Sequence, residues 1–282
     1  MKIAIVGAGI VGSTAAYYLS KEKDVEVTVF DHGLGQATKA AAGIISPWFS
    51  KRRNKAWYRM ARLGADFYQD LVSDLENDGY DTSFYDQSGV ALLKKDDSKL
   101  DGLYQHAETR LAESPIIGEL AIKNASNLPE FTGFSRYLYA SGGARVEGAE
   151  LTATLIKASG FKKVEGLVTL SPLDNGTYEI NGQTFDKVIL ACGAWLGQTL
   201  DPLGFEVDVR PQKGQLRDYF FEGMDTGKLP VLMPEGELDV IPFVGGKISV
   251  GASHENDQGF DLTVDETVLA SLEEEAKTYF PD

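Results

Sequence analysis

The first thirty-one residues constrain this chain more than any other stretch. Lys2-Ile3-Ala4-Ile5-Val6 is a short apolar run, rich in β-branched residues, that reads as a buried strand. It leads into Gly7-Ala8-Gly9-Ile10-Val11-Gly12, a complete G-x-G-x-x-G where a strand should turn into a helix. Residues 13–23 continue as that helix, with Ala16, Leu19 and the tyrosines on its apolar face. A second strand, 25–30, closes on Asp31. The glycines have separate tasks: Gly7 permits the tight turn, Gly9 lets backbone approach a pyrophosphate, and Gly12 lets the helix pack closely on the strand. The helix start supplies free N–H groups and a positive dipole end for phosphates. Asp31 stands nineteen residues after Gly12, where a carboxylate can accept hydrogen bonds from an adenosine ribose, and His32 follows it. The glycine motif alone is weak, but strand, motif, helix, strand and acid in one unit point to a bound dinucleotide.

The rest of the composition narrows the partners. A net charge of −15 over 282 residues disfavours nucleic acid and an anionic membrane surface, since both need a basic face. No stretch approaches the ~18 apolar residues of a membrane-spanning helix, which argues against an integral membrane segment. The first apolar run is broken by glycines and does not read as a signal peptide. The lone Cys192 can form no internal disulfide, which points to a reducing, cytoplasmic compartment. Cysteines and histidines show no metal-type spacing. A homo-oligomer is compatible with the sequence.

After Asp31 the segment 32–46 reads H-G-L-G-Q-A-T-K-A-A-A-G-I-I-S, small residues that let backbone lie flat against a ligand. Residues 54–77 form an amphipathic helix, with Trp57, Met60, Gly64, Phe67, Leu71 and Leu75 predicted as its core stripe. Arg52 and Arg53 before it are read as a solvated face. Residues 84–95 read as a hairpin and 98–113 as a charged surface helix with an exposed His106. Strand 136–140 and S-G-G-A-R-V-E at 141–147 follow, then a helix over 149–158; Arg145 reads as a structural ion-pair partner. A strand over 161–170, a turn at Asp174-Asn175-Gly176, and strands 178–180 and 185–190 lead to Ala191-Cys192-Gly193-Ala194-Trp195, an apolar strand ending in small residues. No activating neighbour stands beside Cys192 in sequence, so it reads as a packed small residue. Strands are expected within 207–221 and over 231–233, 238–243 and 247–251. The G-A-S-H-E-N-D stretch then reads as a turn holding His254, and a last acidic helix covers 265–280.

The N-terminal unit, A-A-A-G-I-I-S, A-C-G-A-W, P-Q-K-G-Q and G-A-S-H-E together resemble the FAD-dependent D-amino-acid oxidase superfamily, above all its glycine oxidase and D-amino-acid dehydrogenase branch. The resemblance runs along essentially the whole chain. It implies an α/β protein with a Rossmann-like, glutathione-reductase-like FAD domain (1–84, 141–200 and 262–282) and a mixed-sheet substrate domain (85–140 and 201–261). By resemblance, Ala37 and Thr38 meet the phosphate and ribityl region. Ala42, Gly43 and Ile44 lie beside the isoalloxazine, and the backbone of Val164 touches adenine. Cys192, Gly193 and Trp195 close the cofactor site. The implied chemistry is hydride transfer from the α-carbon of an amino acid or small amine to flavin N5. The resulting imine hydrolyses to a keto acid, and oxygen or another acceptor takes the electrons. No catalytic acid or base is assigned, because the cofactor carries the hard step.

The family pattern continues into a G-L-R-P-type segment bearing a carboxylate-gripping arginine and into a P-x-I-G turn. No match to these follows Asp282, so the sequence is expected to be a truncated member. An inactive FAD-binding core and a nicotinamide-dependent dehydrogenase remain as alternatives, although A-A-A-G-I-I-S and A-C-G-A-W argue against the second.

Overall fold

The glycine-rich turn sits at the C-terminal end of a four-stranded parallel sheet. The computed structural model describes residues 1–52 and 54–280, so Arg53, Pro281 and Asp282 lie outside the described residues. Lys2–Val6 pairs with Glu26–Asp31 on one side and Lys187–Leu190 on the other, and Lys162–Glu165 forms the edge beside Glu26–Asp31. The first strand reads as continuously apolar because both its faces are covered. Ile3, Ile5, Val27 and Val29 pack under Ala16, Leu19 and Ile156 of the helices Ile10–Leu19 and Gly148–Ser159. Ala4, Val6 and Phe30 pack against Ile180 and Phe185 of a three-stranded meander, Leu170–Pro172, Tyr178–Ile180 and Gln183–Phe185. Each large aliphatic side chain buried this way contributes roughly 1.5–3 kcal/mol.

The second sheet is mixed and has seven strands, in the order Leu216–Phe220, Lys247–Gly251, Asp239–Pro242, Val231–Met233, Val90–Leu92, Arg136–Ala140, Leu120–Asn124. Alternation along each strand divides its side chains between two faces. Ala91, Leu232, Val240, Ile248 and Val250 look one way and meet Leu269, Leu272 and Ala276 of the helix Glu266–Ala276. Val90, Leu138, Ala140, Val231 and Ile241 look the other way. There they meet Leu100, Leu103 and Ala107 of the helix Lys99–Glu108, together with Ile44, Ile45, Trp48 and Phe49. The stretch 42–49 thus ties the glycine-rich unit to the large sheet.

Several elements depart from their sequence reading. The last helix, expected with the nucleotide sheet, packs on the seven-stranded sheet, because its Leu269–Leu272–Ala276 stripe matches the apolar face there. Residues 84–95 do not form a hairpin. Tyr85–Asp86 pairs with Ala144–Val146, whereas Val90–Leu92 joins the large sheet after Gly89 turns the chain in a left-handed conformation (φ +84°). The helix Lys55–Asn77 starts on Asn54, whose Oδ1 accepts from the Trp57 N–H at 3.0 Å. Its predicted stripe is buried only at Leu71 and Leu75, while Met60 and Phe67 are exposed. The helix read as a charged surface element buries an inner face instead, and His106 is partly buried, its Nε2 3.1 Å from the Ser50 carbonyl. The predicted strand 161–170 is split into Lys162–Glu165 and Leu170–Pro172. No helix among the described residues is long and apolar enough to cross a membrane.

Candidate cofactor site

The turn after Lys2–Val6 is built around contacts too close for a side chain. Gly7 has φ +103°, and a Cβ there would lie 2.2 Å from the Ala191 carbonyl oxygen. A Cβ on Gly12 would lie 1.8 Å from the Gly7 carbonyl oxygen, so helix and strand touch only because both residues lack one. Gly9 differs: its Cβ would meet only Thr38 Oγ1, at 3.3 Å, and the remaining side is open.

The backbone donors of this turn divide into used and unused. Gly7 donates to the Phe30 carbonyl at 2.7 Å, Ala8 to Asp31 Oδ2 at 2.7 Å, and Ile10 to Thr38 Oγ1 at 3.1 Å. The N–H groups of Gly9, Val11 and Gly12 have no partner among the described residues. Three open donors at a helix start suit an oxyanion, so the residues present fit the pyrophosphate of a dinucleotide.

Asp31 is buried and already engaged. Oδ2 accepts from Ala8, and Oδ1 accepts from Gly33 N at 2.9 Å and Gln36 Nε2 at 2.8 Å. A carboxylate has about four acceptor positions, so one remains for a ribose hydroxyl. The sequence reading missed Gly33 and Gln36, whose role rests on the path of the 32–36 loop. His32 is exposed. Val164 pairs with Phe30 in the edge strand, at the same sheet end as Asp31.

Ala37 and Thr38 open a short helix, Ala37–Ala40, beside the first residues of Gly148–Ser159. Ala42 and Gly43, the latter left-handed at φ +71°, then lead into Ile44–Ile45, which pairs with Ala144–Val146. Gly43 O accepts from Val146 N at 2.9 Å. Ala191 donates to Val6 O at 2.7 Å, which brings the 191–195 turn to the glycine loop. Burial pushes the Cys192 thiol up, consistent with a packed, unreactive sulfur. Gly193 (φ +55°) meets nothing within 4 Å of where its Cβ would be. The Trp195 ring stacks on Phe260 with centroids 4.7 Å apart and lies against Gly35, so its contacts are within the chain. Arg145 is fully buried. Its guanidinium donates to Asp86 Oδ2 at 2.7 Å and to the carbonyls of Gly227 at 2.5 Å and Leu229 at 3.2 Å, which gives it a structural role.

One ionisable group on the seven-stranded sheet was not singled out in the sequence. Leu232 opposite Val240 sets Asp239 beside Met233, whose sulfur accepts from the Ser46 hydroxyl at 3.4 Å. Burial raises the Asp239 carboxyl to about 7. The signal was an acid inside the otherwise apolar L-D-V-I-P strand. A separate cavity of about 900 Å³, lined by Lys94, Asp96, Asp97 and Glu235 among others, contains none of these residues.

The chain matches the FAD dependent oxidoreductase (DAO) family over residues 2–282 and belongs to it. An uncharacterized oxidoreductase of Bacillus subtilis, YurR, is 39% identical over 270 residues, covering 91% of this chain and 72% of the relative. A glycine oxidase of Pseudomonas aeruginosa is 30% identical, covering 100% of this chain and 78% of the relative. Iminodiacetate oxidase from Chelativorans sp. BNC1 has a similar solved structure, with TM-score 0.92, 29% identity and coverage of 99% of this chain and 79% of that one. The family is FAD dependent, which resolves the choice of dinucleotide that the glycine motif alone left open.

Proposed function

We propose that this chain holds FAD in the cradle described above and oxidises an amino acid or small amine. The observation that carries the reading is the set of N–H groups at Gly9, Val11 and Gly12 without a partner among the described residues, in the same turn as the close Gly7–Gly12 approach. These donors would hold the pyrophosphate, with Asp31 at the adenosine ribose, the Val164 backbone near adenine, and Ala37 and Thr38 along the phosphate and ribityl part. Ala42, Gly43 and Ile44 would flank the isoalloxazine, with the 192–195 turn closing the site around the cofactor. In the same proposal the nucleotide sheet and the seven-stranded sheet are separate cofactor and substrate units, the last helix belonging to the second.

FAD, when bound, accepts two electrons from the carbon that bears the substrate nitrogen. The chain has to orient that carbon and keep water away from it. Ile44, Ile45, Trp48, Met233 and Ile241 form one apolar cluster that supplies such a wall. Names of the relatives, glycine oxidase and iminodiacetate oxidase, support an amine or amino-acid substrate; oxygen or another acceptor would reoxidise the flavin. The single cysteine supports a reducing, cytoplasmic setting.

The test is the visible spectrum of the purified chain before and after anaerobic addition of glycine, sarcosine, D-amino acids and iminodiacetate. Flavin bands that bleach with one of them support the reading. A colourless protein that takes up no added FAD overturns it.

A further inference from the structure

Asp239 is a carboxylate of the large sheet, on the face that packs with the segment 44–49, and its side chain has no partner among the described residues. Its strand neighbours alternate cleanly. Val240 belongs to the cluster under the last helix, whereas Ile241 belongs to the cluster that contains Ile44, Ile45 and Trp48. Asp239 therefore shares the face of Ile241. On one side it lies beside Met233, which the Ser46 hydroxyl touches, and on the other it lies opposite Gly251, which presents no side chain. The Met233 side is filled by that side chain, and on the Gly251 side a Cβ would lie 2.5 Å from Leu216 Cβ, so the neighbouring strands flank the carboxylate closely without offering it a polar side chain. Among the described residues it takes no hydrogen bond and no ion pair, although it is partly buried. Burying a charge without a partner is costly, and such violations of packing rules concentrate where a ligand supplies the missing partner.

Resting on the reading above, we infer that Asp239 receives the protonated nitrogen of the substrate, so that the cleft selects cationic amines over neutral and dianionic molecules of the same size. A second carboxylate arm, as in iminodiacetate, would meet Asp239 unfavourably. Charged groups around it do not supply an alternative partner. The flanking strands set Met233 and Gly251 beside it, and the segment 44–46 reaches this face through the Ser46–Met233 contact and the cluster that Ile44 and Ile45 share with Ile241. The ionisable pair at the same strand end, Glu237 and His254, is exposed and 4.0 Å apart.

The probe is tert-butylammonium, which has no C–H on the carbon bearing nitrogen and cannot be oxidised. Its neutral counterpart is tert-butanol. Calorimetric titration of the FAD-loaded chain at pH 8 should give the ammonium at least ~10-fold higher affinity than the alcohol, and D239N should abolish that preference while retaining its circular dichroism. Equal affinities in the unsubstituted chain, or a preference that survives in D239N, overturn the inference. The H254Q chain provides a second test that keeps Asp239 in place and removes the exposed histidine at the same strand end. There the preference should fade between pH 8 and pH 5.5 as the carboxyl protonates, and an unchanged preference overturns the inference. Flavin retention and bleaching decide the functional reading separately, because the ammonium–alcohol comparison needs no turnover.

Discussion

The glycine loop and the strand Asp239–Pro242 of the seven-stranded sheet are built on opposite principles. At the loop, almost everything is backbone. Gly7, Gly12 and Ala191 touch at distances that leave no room for a side chain, Asp31 already accepts from Ala8, Gly33 and Gln36 with one acceptor position left, and the open groups of the loop are N–H donors. On the sheet, everything depends on side chains, and the unmet group is an acid, Asp239. A site made of backbone donors recognises what all FAD molecules share, the pyrophosphate. A site made of side chains on a strand changes its preference with each substitution. On the proposed reading, the difference would account for a cofactor cradle set by backbone and a substrate preference set by individual side chains.

The sharpest way to break this comparison lies within the loop. Gly12→Val forces a side chain into the Gly7 carbonyl, which is backbone on both sides and has nowhere to move. We expect a loss of more than ~3 kcal/mol in urea denaturation, enough to prevent a stable fold. Gly9→Val is the matched control. Gly9 has φ −70° and ψ −171°, ordinary extended backbone, and its Cβ would meet only Thr38 Oγ1. That variant should fold with stability within about 1 kcal/mol of the parent and yet fail to retain FAD. Equal damage from both substitutions would mean that the open side of Gly9 is not where the cofactor lies.

The sheet gives the opposite sign. The Asp239 carboxyl is raised from 3.8 to about 7 by burial, so the folded state holds its proton more tightly than the unfolded chain. The corresponding stability is fully present below about pH 4 and is lost as pH rises through about 7. Asp239→Asn removes that loss. Partial contact with water discounts the full shift, and the variant should be more stable than the parent at pH 8 by roughly 2–3 kcal/mol, with the gap closing toward pH 4. Parallel denaturation curves at the two pH values check this. A substitution that stabilises the fold and erases discrimination between ammonium and alcohol would mark Asp239 as retained for binding.

Arg145 lies between the two regions and tests whether they hold together. Its guanidinium links Asp86 to the carbonyls of Gly227 and Leu229, across the small sheet and the large one. Arg145→Met keeps most of the apolar volume and leaves those acceptors unpaired. Asp86 is 43% exposed and can turn to water, so the expected cost is about 2 kcal/mol rather than the larger figure for a fully buried pair. Denaturant unfolding measures it, and FAD retention should change little.

The loop was readable from the sequence because its chemistry needs glycine at fixed spacing, and glycine spacing is visible in one dimension. The parallel sheet was readable for a similar reason: Lys2–Val6 and Lys187–Leu190 are apolar along their length, as strands covered on both faces must be. Asp239 was not, because its meaning depends on register. Only the pairing of Leu232 with Val240 sets it beside Met233, and only the packing of Ile241 with Ile44 and Ile45, together with the Ser46 contact, shows which face is which. The last helix failed for a related reason. Its Leu269–Leu272–Ala276 stripe would suit either sheet, and amphipathic spacing names a buried face without naming what buries it. The helix Lys55–Asn77 misled in the opposite direction, since Met60 and Phe67 fit the stripe and are nevertheless exposed.

The smallest expected effect concerns the one loop donor that the protein itself has taken. Thr38 Oγ1 accepts from Ile10 N, the donor lying between the open groups of Gly9 and Val11. Thr38→Val preserves shape, including the methyl near Gly148, and removes only the acceptor. In the FAD-free chain this should cost about 1 kcal/mol, the net value of an ordinary hydrogen bond. Addition of FAD should then stabilise the variant more than the parent, because the released Ile10 N–H joins Gly9, Val11 and Gly12 around the pyrophosphate. Thermal melts with and without FAD read the difference directly. If the variant gains less from FAD than the parent, the Thr38 hydroxyl contacts the cofactor itself, and the loop is then completed by a side chain rather than by backbone alone.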